Sequence, residues 1–149
     1  KKGKGTYRVV FKHFPLSTDC NQTLKKNLHP RACEAAVSAI AAWRQGKFWA
    51  YHDSLFSIQD ENSPDLFETI AAKTGLNMEH FGNDKANDSL KVKVIRDIAL
   101  ARELSVNATP TVYLNGKLVT DMRPGILQFL INQEIKRLGT PGGSAHRSY

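Results

Sequence analysis

Cysteine is scarce here: the chain has two in 149 residues, Cys20 and Cys33. Twelve residues separate them, and the nearby His29 does not complete a tetrahedral set, so no zinc site is expected. No other metal and no cofactor is expected either. Long apolar runs are also missing. Nothing approaches 18 uninterrupted apolar residues, so the sequence offers no membrane-spanning helix. The opening Lys1-Lys2-Gly3-Lys4-Gly5 is followed by no apolar stretch of the signal-peptide kind, which would also hold for a matured chain. Net charge is +7, yet the basic residues are spread out and no basic–aromatic motif occurs. A nucleic-acid partner is therefore not expected.

What remains is an ordinary globular composition, 41% hydrophobic and 23% charged, in a length suited to one domain. Tyr7 to Phe14 is β-branched and aromatic and predicts a strand ending at Pro15. Ser17 to Leu28 is polar and without period, which predicts a loop. His29-Pro30 opens a helix whose buried face is Ala36, Ile40 and Trp43, closed by Gln45-Gly46. A second helix is expected from Lys47 to about Ser57. A third is expected from Ser63 as N-cap and Pro64 at N1, with Leu66, Phe67, Ile70 and Ala71 inward and Gly75 as its stop. Asn77 to Phe81 predicts a short helical turn. A long helix follows from about Asp84 to Leu104, with Leu90, Val94, Ile98 and Ala101 on one face.

Thr111–Leu114 and Lys117–Thr120 flank Asn115-Gly116, the signature of a hairpin with a type I′ turn. A last helix from Pro124 to Leu138 spaces Leu127, Leu130, Ile131, Ile135 and Leu138 as a core face. The domain is expected to occupy residues 1–138. The Gly/Ser-rich remainder, 139–149, is expected to be a flexible tail.

Three segments carry a family resemblance: Val9–Leu16 (V-V-F-K-H-F-P-L), Gln45–Phe56 (Q-G-K-F-W-A-Y-H-D-S-L-F) and Ala108–Gly116 (A-T-P-T-V-Y-L-N-G). In that order and spacing the chain resembles DsbA-like thioredoxin-fold proteins over about residues 7 to 138. It is most similar to the soluble domains that accompany vitamin K epoxide reductase-type membrane proteins. The resemblance implies an α/β, thioredoxin-like fold with a helical insertion. It implies thiol–disulfide oxidoreductase chemistry on extended polypeptides bearing cysteines. It also implies a membrane quinone-linked redox partner and a periplasmic or otherwise extracytoplasmic location. Ala108, Thr109 and Pro110 match the family's cis-proline loop, which receives a substrate strand; the plain alternative is a trans proline opening a strand.

The same resemblance exposes a gap. Family members carry Cys-x-x-C at the start of a helix that follows a first strand, where the helix end lowers the thiolate pKa. This chain has no Cys-x-x-C, and Tyr7–Phe14 matches the strand that comes after that unit. The fold is thus expected to be N-terminally incomplete, with catalytic residues absent from this chain. Three arrangements fit: Tyr7–Phe14 pairs with the hairpin directly, a second copy fills the open edges as a homodimer, or the missing unit lies outside the chain. The last is the expectation, as a fragment of an oxidoreductase. The alternative function is a non-catalytic peptide-binding or scaffold domain.

Cys20 and Cys33 leave three readings open: a structural disulfide, free thiols, or a redox-active pair. The first is expected, clamping the loop to the helix and worth roughly 3 kcal/mol by the chain-entropy model. A bridged pair points outside the cytoplasm. His13, His29, His52 and His80 fall in different elements. His52-Asp53 is not expected to act as a pair, because neighbours on a helix point apart. Trp43, Phe48, Trp49 and Phe56 are expected in the core of the helical part.

Overall fold

The computed structural model describes residues 7–57, 63–138 and 146–148, the last three as backbone. They form two compact units, Lys12–Ser105, and Lys1–Phe11 with Val106–Tyr149.

The first unit is helical: α1 (Ala32–Arg44), α2 (Phe48–Ser57), α3 (Leu66–Lys73), α4 (Met78–Lys85) and α5 (Asp88–Glu103). Helix α1 is its hub and packs on the other four. The reason is its alanine content: Ala36, Ala39, Ala41 and Ala42 are buried, and small side chains let neighbouring helices approach on several sides. Into that space go Ile40 of α1, Tyr51 of α2, Phe67 and Ile70 of α3, Phe81 of α4 and Val94 of α5. The Tyr51 hydroxyl donates to the Phe67 carbonyl at 3.2 Å, so its burial leaves no orphaned donor.

The Gln45–Lys47 turn has a specific structural task. The Lys47 ammonium donates to the carbonyls of Thr74 and Gly75 at 3.0 and 2.6 Å, capping the end of α3. Gln45 and Asn77 exchange two hydrogen bonds, from Gln45 Nε2 to the Asn77 carbonyl and from Asn77 N–H to Gln45 Oε1. Gly75 has φ +70°, a backbone conformation that calls for glycine.

Several expected boundaries move. The helix expected over Asp84–Leu104 is two helices, because α4 continues to Lys85 and Asn87 starts a new one. The Asn87 side chain accepts from Ser89 N–H at 2.9 Å, as Asn77 does from His80 N–H at the head of α4. Asn87→Ala is expected to cost about 1 kcal/mol in a urea melt, the usual worth of such a cap. Helix α3 begins at Leu66 with Asp65, not Ser63, as its N-cap residue, and α1 begins at Ala32, two residues past Pro30. Trp43 and Phe56 are not core: they are 38% and 75% exposed, and the Lys93 ammonium lies 3.8 Å over the Trp43 ring. Phe48 is buried and Trp49 half-buried.

The second unit holds the strands. The first, β1 (Arg8–Val10), is shorter than the expected Tyr7–Phe14. It pairs in parallel with β4 (His146–Ser148), in the register Arg8↔His146 to Val10↔Ser148. The hairpin is β2 (Tyr113–Leu114) and β3 (Lys117–Leu118), with Tyr113 opposite Leu118. Its turn has φ +49° at Asn115 and +79° at Gly116, as a type I′ turn requires. These are separate two-stranded sheets, so β1 does not pair with the hairpin. Most of the expected flexible tail, 139–145 and 149, lies outside the described residues; at His146–Ser148 the backbone is a strand.

Helix α6 (Ile126–Leu138) has the core spacing expected of it but buries none of its residues. Phe129 is 56% exposed. Val119 is the only buried residue among the described residues of this unit. Of its expected core face, Leu127, Leu130, Ile131 and Ile135 are half-buried and Leu138 is exposed.

Candidate functional site

The expected substrate loop lies in the strand-bearing unit. Ala108, Thr109 and Pro110 are all exposed, in a bend before β2. The Thr109–Pro110 peptide bond is cis. The Thr111 hydroxyl donates to the Ala108 carbonyl at 2.6 Å and closes the bend on itself.

Cys20 and Cys33 lie in the helical unit and are joined in a disulfide with a Cα–Cα distance of 6.0 Å. The free-thiol reading therefore falls. Cys20 is in the loop and Cys33 is the second residue of α1; both are half-buried. The loop is tightly bonded in its own right. Asn21 is fully buried: its amide donates to the Pro15 carbonyl at 3.0 Å, and its Oδ1 accepts from the backbone and hydroxyl of Thr23 at 3.2 and 2.5 Å. The Leu16 carbonyl accepts from Leu28 and His29 N–H at 3.0 and 2.9 Å, closing the base of the loop. Ser17, also fully buried, donates its hydroxyl to the Pro30 carbonyl at 3.2 Å.

Just before this loop sits a buried ionisable cluster. Asp97 of α5 is 7% exposed. One carboxylate oxygen accepts from the Lys12 ammonium at 2.8 Å, the other from the His13 backbone N–H at 3.0 Å. At His13 the backbone donor thus goes to a side chain rather than to a strand neighbour. The His13 ring is 6% exposed and packs edge-on to Phe48. Burial drives its pKa down to about 4; Asp97 pulls the other way, while His52 and Lys12 add to the lowering.

His52 packs against Phe48, Trp49 and Phe56. His13 and His52 are thus brought to the same aromatic group, whereas His29 and His80 stand exposed on a loop and on α4. His52 and Asp53 do interact, contrary to expectation, with Nδ1 and Oδ1 2.9 Å apart. Successive helical residues diverge by about 100°, but at an exposed position the two side chains are long enough to curl around the helix and meet.

Asp97 is the residue that sequence reasoning missed. The signal was a carboxylate placed three residues after Val94 and one before Ile98, on the otherwise apolar face of α5. A charge there needs a partner, and the structure supplies it from Lys12 and the His13 backbone rather than from Lys93 one turn earlier, whose ammonium lies over Trp43. Among the described residues no group of three or more His, Cys, Asp or Glu is placed to hold a metal ion, and no helix is long and apolar enough to cross a membrane.

Residues 4–128 match the family model described as a DSBA-like thioredoxin domain. Among solved structures, a thioredoxin-like oxidoreductase from Silicibacter pomeroyi DSS-3 superposes with a TM-score of 0.67 over 90% of this chain and 88% of that one, at 22% identity, a likeness of fold. The Na(+)/H(+) antiporter NhaA 1 of Mycolicibacterium vanbaalenii is 37% identical over 109 residues, 72% of this chain. The Na(+)/H(+) antiporter NhaA 3 of Salinispora tropica is 34% identical over 110 residues, 74% of this chain. The chain spans only 16% of the length of these two relatives.

Proposed function

This chain belongs to the DSBA-like thioredoxin domain family, and on that premise we propose that it is the body of a thiol–disulfide oxidoreductase whose Cys-x-x-C nucleophile lies in polypeptide outside these 149 residues. One observation carries the reading. The family match covers most of the chain, yet its only two cysteines are bonded to each other at a separation of 13 and neither belongs to a Cys-x-x-C. The two small sheets, each of two strands among the described residues, support it, since a further strand would have an edge to complete.

In this reading the external cysteine thiolate attacks a substrate disulfide, a mixed disulfide forms, and the second cysteine of the pair resolves it. Oxidation of substrate thiols runs the same steps backwards. Ala108, Thr109 and Pro110 would line the substrate strand's path, and extended polypeptides bearing cysteines are the substrates. The disulfide supports an extracytoplasmic location. A quinone-linked membrane partner of the vitamin K epoxide reductase type would recycle the Cys-x-x-C. Sodium–proton exchange is named for the antiporter relatives and forms no part of this proposal.

Insulin reduction tests it. The chain alone, with Cys20 and Cys33 both changed to serine in this and the extended version, is expected to give background turnover. A version joined to a strand–Cys-x-x-C–helix unit ahead of Tyr7 is expected to exceed it at least tenfold, and to lose that gain when the first cysteine of the pair is changed to serine. Equal, background turnover from both would instead favour a non-catalytic, peptide-binding domain.

A further inference from the structure

The disulfide has a setting that its expected structural role does not require. The loop it bridges is already closed at the base by two hydrogen bonds to the Leu16 carbonyl and inside by the buried Asn21. Beside the disulfide, the Ser17 hydroxyl links the start of the loop to Pro30, two residues before α1. The covalent bond therefore repeats a connection that hydrogen bonds make without it. Nor is it part of the core: the buried run of α1 starts at Ala36, and both cysteines are half-exposed to solvent.

The two sulfurs also differ. Cys33 is in the first turn of α1, where backbone N–H groups lack helical acceptors and the helix dipole favours negative charge. Arg31, the N-cap residue, makes no side-chain capping bond there. Cys20 lies in the loop and has no such helix end beneath it. Cys33 is the better leaving group, and Cys20 the sulfur to be attacked.

We propose that Cys20–Cys33 is a redox-active disulfide of this chain itself, exchanging with dithiols of partner proteins. A partner thiolate attacks Cys20 Sγ. The Cys20–Cys33 bond breaks, its electron pair leaves on Cys33 as a thiolate, and a Cys20–partner mixed disulfide forms. The partner's second thiolate then attacks its own sulfur in that mixed disulfide and releases Cys20. The partner dithiol becomes a disulfide, and this chain gains two electrons and two protons as two thiols. The site needs no Cys-x-x-C, so it stands whether or not the oxidoreductase reading above holds.

The experiment uses this chain alone, with dithiothreitol as the dithiol probe. Reduction is followed by thiol alkylation and mass spectrometry, in native buffer and in concentrated urea, with far-ultraviolet circular dichroism recorded alongside. The native rate is expected within tenfold of the rate in urea, with the helical signal retained in the reduced protein. A native rate more than tenfold slower, or loss of helix on reduction, overturns the proposal. When the reduced protein is treated with substoichiometric iodoacetamide, Cys33 is expected to be alkylated faster than Cys20; equal or slower alkylation sinks the assignment of Cys33 as leaving group.

Discussion

Asp97→Ala is expected to destabilise the helical unit by about 3 kcal/mol, read as a shift in the urea midpoint with an unchanged slope. The carboxylate is buried and holds two donors from the same stretch of chain, Lys12 and the His13 backbone. Lys12 loses little on its own, because its side chain is 53% exposed and water can replace the carboxylate. The larger loss is at His13, whose buried N–H would be left without an acceptor and would bear its whole desolvation cost. Removing one partner of a buried charged pair costs about 3–5 kcal/mol when the other is fully buried; the exposure of Lys12 places this case at the lower end. Asp97→Asn separates the contributions. It keeps an acceptor for His13 and gives up only the charge, so it should recover more than half of the loss. An Asp97→Asn variant as unstable as Asp97→Ala would show that the ion pair, not the backbone bond, dominates.

Acid should destabilise the same unit, through His13. Its folded-state pKa is about 4 against an ordinary value of about 6.5 in the unfolded chain. Between those values the unfolded state binds the proton and the folded state does not, so stability falls as pH falls. The contribution is complete above pH 6.5, declines steadily below it, and is spent below pH 4. Two and a half units correspond to about 3 kcal/mol, an order-of-magnitude figure, at 1.36 kcal/mol per unit. Urea melts across pH 7 to 4 should show this slope, and His13→Gln should flatten it. Because Asp97 raises the His13 pKa, the Asp97→Ala variant should carry the acid loss to still lower pH. A His13→Gln protein whose stability falls as steeply as that of the parent would locate the acid sensitivity elsewhere.

The helical unit was largely legible in the sequence. Leu66, Phe67, Ile70 and Ala71, and Leu90, Val94, Ile98 and Ala101, were expected on inner faces, and all are buried. The Asn-Gly turn was equally plain. Less legible was everything that depended on one capping residue: Asn87 splits what reads as one continuous helix, and a single side-chain oxygen decides it. Exposure was misjudged at Trp43 and Phe56, because helical spacing identifies a face but not whether anything covers it. Helix α6 shows the same limit at Leu138, expected inward and 57% exposed.

The sequence by itself determined the absence of a Cys-x-x-C, the family resemblance and the order of most elements. These are matters of residue identity and of periods within a few turns of chain, where backbone geometry dictates the outcome. Tertiary structure alone decided the rest. It joined Cys20 to Cys33, laid β4 rather than the hairpin beside β1, and placed Asp97 against His13 across 84 residues of sequence. Such contacts are set by how packed helices bring distant groups within hydrogen-bond or bonding reach, and no local pattern encodes that distance. The lack of a Cys-x-x-C was visible from the residues. That the remaining two cysteines form a half-exposed disulfide at a helix start, where exchange chemistry is testable, emerged only from the fold.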